Sequence, residues 1–283
     1  MTKFLDRCFW VATGACAVGA CALLVGIAAT IVWNGLPAIN WQFLVGEPGQ
    51  AFASGGIRYQ ILGTVLLVIT ALVVAVPLAV GLALVQTVYL GSTRAKLRLR
   101  LCIYGANGIP SILFGILGLL VFVQLFGWGK SWLAGGIVLG MMILPTLTVV
   151  LVERIEAIPA KYLAAAAAMG LGKSGVVRAV VLPQTRGGLL VGALLGLARA
   201  AGETAPIMFT AAVFSGATFP AGIRESPVVA LPYHLFVLAQ DSFDATAQGQ
   251  MWGAAVVLLG FVLALSLIAL PARLKSSEEA QHG

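Results

Sequence analysis

Long apolar runs separated by short polar breaks organise this chain. Continuous runs cover about 9–33, 61–90, 101–126, 132–152, 188–214 and 251–270. A bilayer span needs roughly 20 apolar residues at 1.5 Å rise each, so the pattern predicts about six transmembrane helices. Backbone N–H and C=O groups in hydrocarbon must be paired within the segment, which selects helices. The apolar–polar alternation of a membrane β-barrel is absent. Pro77 marks a kink in the second run, Gly108 and Pro110 break the third near its start, and Pro145 lies within the fourth. The first run is too long for a signal-peptide core and lacks a small-residue cleavage site, so it reads as an uncleaved helix. Longer polar stretches remain at 35–60, 153–187 and 215–250.

Composition agrees. Of 283 residues, 60% are hydrophobic and 10% charged, with a mean hydropathy of +1.02. A soluble domain carries about a quarter charged residues; so few cannot cover a water-facing exterior. The net charge of +7 sits in loops beside the apolar runs. It therefore reads as a topology signal and lipid-headgroup contact, not as nucleic-acid binding. With six spans and the N-terminus inside, the inner side receives Lys3, Arg7, Arg94, Lys96, Arg98, Arg100, Arg154, Lys161, Lys173, Arg178, Arg186, Arg273 and Lys275. The outer side receives only Arg58, Lys130 and Arg224. This imbalance places both termini in the cytoplasm. Cys8, Cys16, Cys21 and Cys102 form no paired motif, and His234 and His282 add no metal cluster. All four cysteines read as small buried apolar groups. Gly170-Leu-Gly-Lys173-Ser174 lacks the glycine spacing of a phosphate loop and follows an Ala-rich helix, so nucleotide binding belongs to another chain.

Segment 153–187 reads as a helix–turn–helix knob. Pro159 opens a helix, the Ala-rich stretch 162–169 continues it, and Gly170 ends it in a left-handed cap. Ser174 N-caps a second short helix that Pro183 closes. One side of the knob carries Ala and Met. Such a face docks on a partner or folds back on the chain's own helices.

Arg199 and Glu203 are the Arg and Glu well inside a run. Four apart on one helix, they share a face and can touch. Each charge near the bilayer centre costs about 2.5–3.5 kcal/mol on insertion scales. A buried pair is weakly stabilising at best. Either the two form a helix-packing ion pair or they face a polar cavity or pathway.

Ala164, Ala165, Ala166, Gly170, Val180, Leu182 and Pro183 resemble the EAA loop of ABC importer permeases, E-A-A-x3-G-x9-I-x-L-P. The spacing agrees throughout, with Ala164 in place of Glu and Val180 in place of Ile. Further on, Leu197, Arg199, Gly202, Glu203, Thr204, Ala205 and Pro206 resemble the R-A-x-G-E-T-A-P signature of the PstA family of phosphate importer permeases. Ser54-Gly55-Gly56-Ile57, Gly63-Thr64 and Gly108-Ile-Pro110-Ser111 are also similar to that family, and the likeness covers roughly 55–270.

The resemblance implies an all-helical type-1 ABC importer permease in a bacterial inner membrane, without catalytic chemistry or cofactor of its own. It divides the chain into 1–56, an N-terminal helix with an extracytoplasmic segment, a transmembrane domain at 57–272 and a cytoplasmic tail at 273–283. Ala164, Ala165, Ala166, Gly170, Leu182 and Pro183 would couple to the ATPase. Arg199, Glu203 and Thr204 would line the substrate path. Arg199 would offset an anion's charge, Glu203 would hold Arg199 between passages, and Thr204 and Thr210 would supply hydroxyls. Gly202 would permit close helix approach. The implied partners are a permease PstC, two copies of the ATPase PstB carrying ATP and Mg, and an extracytoplasmic binding protein PstS docking near 35–60 and 215–250. A permease for sulfate or molybdate, and a membrane subunit signalling phosphate supply, are the alternatives.

Overall fold

The structure, a computed structural model, describes residues 2–47, 49, 55–213, 219–240 and 244–281, the side chains of 2–5, 8 and 272–281 excepted. Ser54, Phe214, Ser215 and His282 lie outside the described residues, as do the side chains of Lys3, Cys8, Arg273 and Lys275.

The apolar runs become helices. In chain order they are α1 (Thr2–Gly35), α2 (Trp41–Val45), α3 (Arg58–Leu84), α4 (Thr93–Asn107), α5 (Ser111–Gly118) and α6 (Trp132–Glu156). There follow α7 (Ala160–Ala168), α8 (Lys173–Val176), α9 (Leu182–Ala201), α10 (Ala205–Thr210), α11 (Leu231–Gln240) and α12 (Ala245–Gln281). Among the described residues, five helical stretches are long and apolar enough to cross a membrane, and a sixth span exists if the bent pair α4–α5 is counted as one. The basic stretch at 94–100 is not a loop but the first half of α4, capped by the Ser92 hydroxyl. At Gly108–Pro110 the chain turns by 92° into α5. Proline lacks the N–H and crowds the preceding turn, so α4 cannot run on through Pro110.

The core lies where α3, α6, α9 and α12 meet. Leu67, Ala71, Ala75, Leu139, Ile143, Leu147, Leu194 and Leu197 are buried there. Small residues set the closest approach, because lipid gives helices no hydrophobic reason to associate and close packing must supply the attraction. A Cβ on Gly140 of α6 would lie 3.0 Å from the Ala71 carbonyl oxygen of α3. Five of the six tryptophans, Trp33, Trp41, Trp128, Trp132 and Trp252, belong to segments at the Arg58 end of the bundle. Indole rings favour the membrane–water boundary, which marks that level.

Three expectations are corrected. Cys16, Cys21 and Cys102 are free but exposed, not buried. α1 meets the remainder of the chain mainly along α12 and bares the rest of its length. The polar stretch 215–250 contains α11, whose Leu231, Tyr233, His234, Val237 and Leu238 are buried. The Leu231 N–H donates to Thr64 Oγ1 at 2.8 Å, which pins the start of α11 to α3. The last described run is also longer than its apolar part, since α12 continues through Gln281.

Gly140→Leu is expected to force α3 from α6. Overpacking of this kind costs about 1–3 kcal/mol. Thermal unfolding of the detergent-solubilised protein checks it, and an unchanged midpoint contradicts the close-packing account.

Candidate functional site

Arg199 lies in the last turn of α9. The helix stops two residues later with Gly202 as its C-cap, and Pro206 falls in the first turn of α10, where its missing N–H costs nothing. The chain passes through Gly202–Thr204 and resumes as α10. Over 188–213 the run is therefore two helices, α9 and α10, and not one.

The break decides the geometry of the two charges. Arg199 and Glu203 do not share a helix face, since Glu203 lies beyond the end of α9. The ion pairs among the described residues are Arg58–Glu47 at 2.8 Å and Arg100–Glu156 at 3.5 Å. The expected Arg199–Glu203 contact is thus not made. Arg199 Nη1 instead donates to Thr146 Oγ1 at 3.2 Å. Thr146 Oγ1 in turn donates to Asn107 Oδ1 at 2.7 Å. Asn107 ends α4, Thr146 is in α6 and Arg199 is in α9. The cluster therefore stitches three helices together.

Depth and exposure follow. Thr146 is about 21 Å along α6 from Trp132 and about 15 Å from Glu156, at 1.5 Å per residue. Arg199 and Asn107 are exposed on the single chain, and Glu203 is half-buried. A guanidinium has five N–H donors, and among the described residues Arg199 commits one nitrogen, to a neutral hydroxyl. No carboxylate pairs with it among the described residues, and its side chain is exposed on the single chain.

The other expected path residues behave differently. Thr204 precedes α10 without capping it. Thr210 is buried and its hydroxyl bonds back to the Pro206 carbonyl at 2.6 Å, so it offers nothing to a solute. Gly202 is exposed, and a Cβ there would meet only ordinary contact with the Arg199 carbonyl oxygen. Close helix approach is not its role.

Lys130, between the α5 end and α6, closes the far end of α10. Its ammonium donates to the carbonyls of Met208 at 3.1 Å and Ala212 at 2.9 Å. Burial lowers its pKa below the ordinary lysine value. The cation sits where a helix C-terminus concentrates carbonyl partial charge. α10 is thus clamped on the side opposite the break.

The knob is present, with changes. Pro159 precedes α7, and Gly170 follows it at φ +73, the left-handed conformation that suits glycine. The Leu171 N–H donates to the Ala166 carbonyl and the Gly170 N–H to that of Ala167, the bonding of a Schellman cap. Gly172, not Ser174, is the N-cap of α8. Pro183 does not close a helix. A widened π turn at Val177–Val181 lets the helix pass from Lys173 through to Ala201, because the extra residue relieves the clash behind the proline. Ala164 and Ala165 are exposed and Ala166 is 4% exposed. α7 packs mainly on α8 and the π turn, and Met169 is 78% exposed. The α7 surface projects, while the root of the knob touches the α3 span, where the Lys173 ammonium donates to the Tyr89 carbonyl at 3.4 Å.

Asn107, Thr146 and Lys130 were not foreseen. Asn107 had a signal, an amide just before Gly108 and Pro110 within an apolar run. Thr146 and Lys130 had none, because their partners are far away in sequence. Among the described residues no group of three His, Cys, Asp or Glu could hold a metal ion.

This arrangement of spans, broken helices and projecting knob is the fold of an ABC importer permease. A methionine ABC transporter, solved in inward-facing conformations, superposes with a TM-score of 0.58 at 17% identity, over 77% of this chain and 93% of that one. The chain belongs to the family of binding-protein-dependent transport system inner membrane components, whose model matches residues 75–274. It is thus an integral, multi-pass membrane protein, in a family of permease subunits. It is 32% identical to phosphate transport system permease protein PstA 2 of Mycobacterium bovis, over 94% of this chain and 87% of that one. A probable phosphate transport system permease protein PstA of Methanocaldococcus jannaschii is 31% identical over 92% and 90%. A probable ABC transporter permease protein, YqgI of Bacillus subtilis, is 28% identical over 94% of each.

Lys130→Met removes the donor to two carbonyls. One net hydrogen bond is worth about 1 kcal/mol, and thermal unfolding is expected to show a loss of that size. Stability equal to the parent's contradicts the clamp.

Proposed function

We propose that this chain is the permease subunit of an ATP-driven phosphate importer and forms, with a second homologous permease, the path for inorganic phosphate across the inner membrane. One observation carries the substrate-path assignment: a mid-span guanidinium that pairs with no carboxylate among the described residues and is exposed on the single chain. Guanidinium presents a planar fork to phosphate oxygens. Its partner is a neutral hydroxyl, so no ion pair has to break before an anion approaches. The PstA relatives supply the identity of that anion.

Glu203 lies near the same break and repels a passing anion. Weak binding suits a passage site, because cargo held tightly would not leave. Thr204, at the break, is a hydroxyl neighbour. The open face of α4, α5 and α9 meets the second permease, PstC in the phosphate systems. The excess of basic residues at the Tyr89 and Glu156 end assigns that end to the cytoplasm. The projecting α7 then meets one of two PstB ATPase subunits, through the exposed Ala164, Ala165 and Gly170, with the buried Ala166 packing the knob and Leu182 and Pro183 at the root. ATP and Mg belong to those subunits, and this chain catalyses no covalent step. The opposite end, near 35–60 and 215–250, receives the phosphate-binding protein PstS.

Arg199→Gln keeps size and hydrogen bonding but removes the charge. It is expected to abolish uptake of labelled phosphate in whole cells while the complex still assembles. Normal uptake by an assembled variant contradicts the path. Competition by sulfate or molybdate separates phosphate from another oxyanion.

A further inference from the structure

Helical threonines in this chain have a habit. The hydroxyls of Thr13, Thr30, Thr64, Thr70, Thr87, Thr148, Thr185 and Thr210 each donate to the carbonyl four residues back. That bond satisfies a hydroxyl locally and needs no neighbour. Thr146 departs from it. Its proton goes to Asn107 Oδ1, 39 residues away, at 2.7 Å. Spending the proton there turns the oxygen lone pairs elsewhere, and one of them receives Arg199 Nη1.

We propose that Asn107 and Thr146 are a positioning pair that fixes the Arg199 guanidinium in the anion path and ties it to the end of α4. The assignment rests on the reading of Arg199 given above. Arginine has a long, flexible side chain, and a path residue that swings freely presents its charge in many places. A carboxylate would hold it but would also cancel the charge. A hydroxyl whose own proton is committed holds it and cancels nothing. Both members are neutral, as this task requires. Two interruptions coincide here: Gly108–Pro110 after Asn107 and the end of α9 after Arg199, while Thr146 lies on the unbroken α6. The backbone is broken beside Asn107 and beside Arg199, so the relay through Thr146 ties both helix ends to the continuous α6.

The test uses the assembled transporter in whole cells, with labelled phosphate as the probe and uptake normalised to membrane-embedded complex. Thr146→Val is expected to lower maximal uptake about tenfold, roughly the effect of one hydrogen bond to a charged group. Thr146→Ser restores the hydroxyl and is expected to return uptake to near the parent rate. Asn107→Leu is expected to match Thr146→Val, and the double variant to be no worse than either single, because both break one relay. A purely structural role predicts losses that multiply and no rescue specific to serine. Parental uptake by Thr146→Val overturns the proposal, as does multiplication in the double variant. Should Thr146→Val fail to assemble, Asn107→Leu decides alone: its side chain is exposed, and full uptake overturns the proposal. A parental Thr146→Val beside an inactive Arg199→Gln removes the positioning pair alone. A normally active Arg199→Gln removes the anion path and the pair together.

Discussion

A single hydrogen bond between a charged and a neutral group, Arg199 to Thr146, carries the functional account. An arginine at the centre of a span costs about 2.5–3.5 kcal/mol on insertion scales. A hydrogen bond to a charged group returns about 1.5–3 kcal/mol. The two are comparable, so the charge can be kept in the interior without a carboxylate partner. A partner carboxylate would stabilise it further and would extinguish the field an anion could feel. The structure holds Arg199 with a hydroxyl and leaves Glu203 outside the bond.

The architecture follows from placing that bond. Helices α3 and α6 pack closely through small residues and make a frame. Against this frame the other elements are interrupted at mid-span: α4 turns into α5, and α9 stops before α10. Interrupted helices are tolerated in membranes where the irregular backbone lines a cavity or is buried in protein. The interruptions bring Asn107, Thr146 and Arg199 within reach of one another. The continuous stretch Lys173–Ala201 then joins the projecting knob to Arg199 through one helical rod. That rod gives a mechanical route between the knob and the site.

Much of this was legible in the chain. Apolar runs placed the spans because lipid demands long continuous helices, and Gly170 placed the end of α7 because its backbone conformation excludes most other residues. What failed did so for identifiable reasons. Arg199 and Glu203 have helical spacing, yet α9 ends at Ala201, between them. Pro183 was read as a stop, yet a π turn, which depends on packing, carries the helix past it. α11 was hidden because a short apolar segment was averaged with its charged flanks. Asn107 and Thr146 form a contact between distant segments, and no local pattern encodes that.

The most direct measurement concerns the charge at position 199 itself. In a chain whose four native cysteines are replaced by alanine, Arg199→Cys is treated in assembled transporters with a thiol reagent that attaches an aminoethyl group. A neutral reagent of equal size serves as the control. The account predicts that phosphate uptake, lost with the arginine, returns in part with the amine and not with the neutral group. A cysteine that neither reagent reaches, or equal recovery with both, would contradict it.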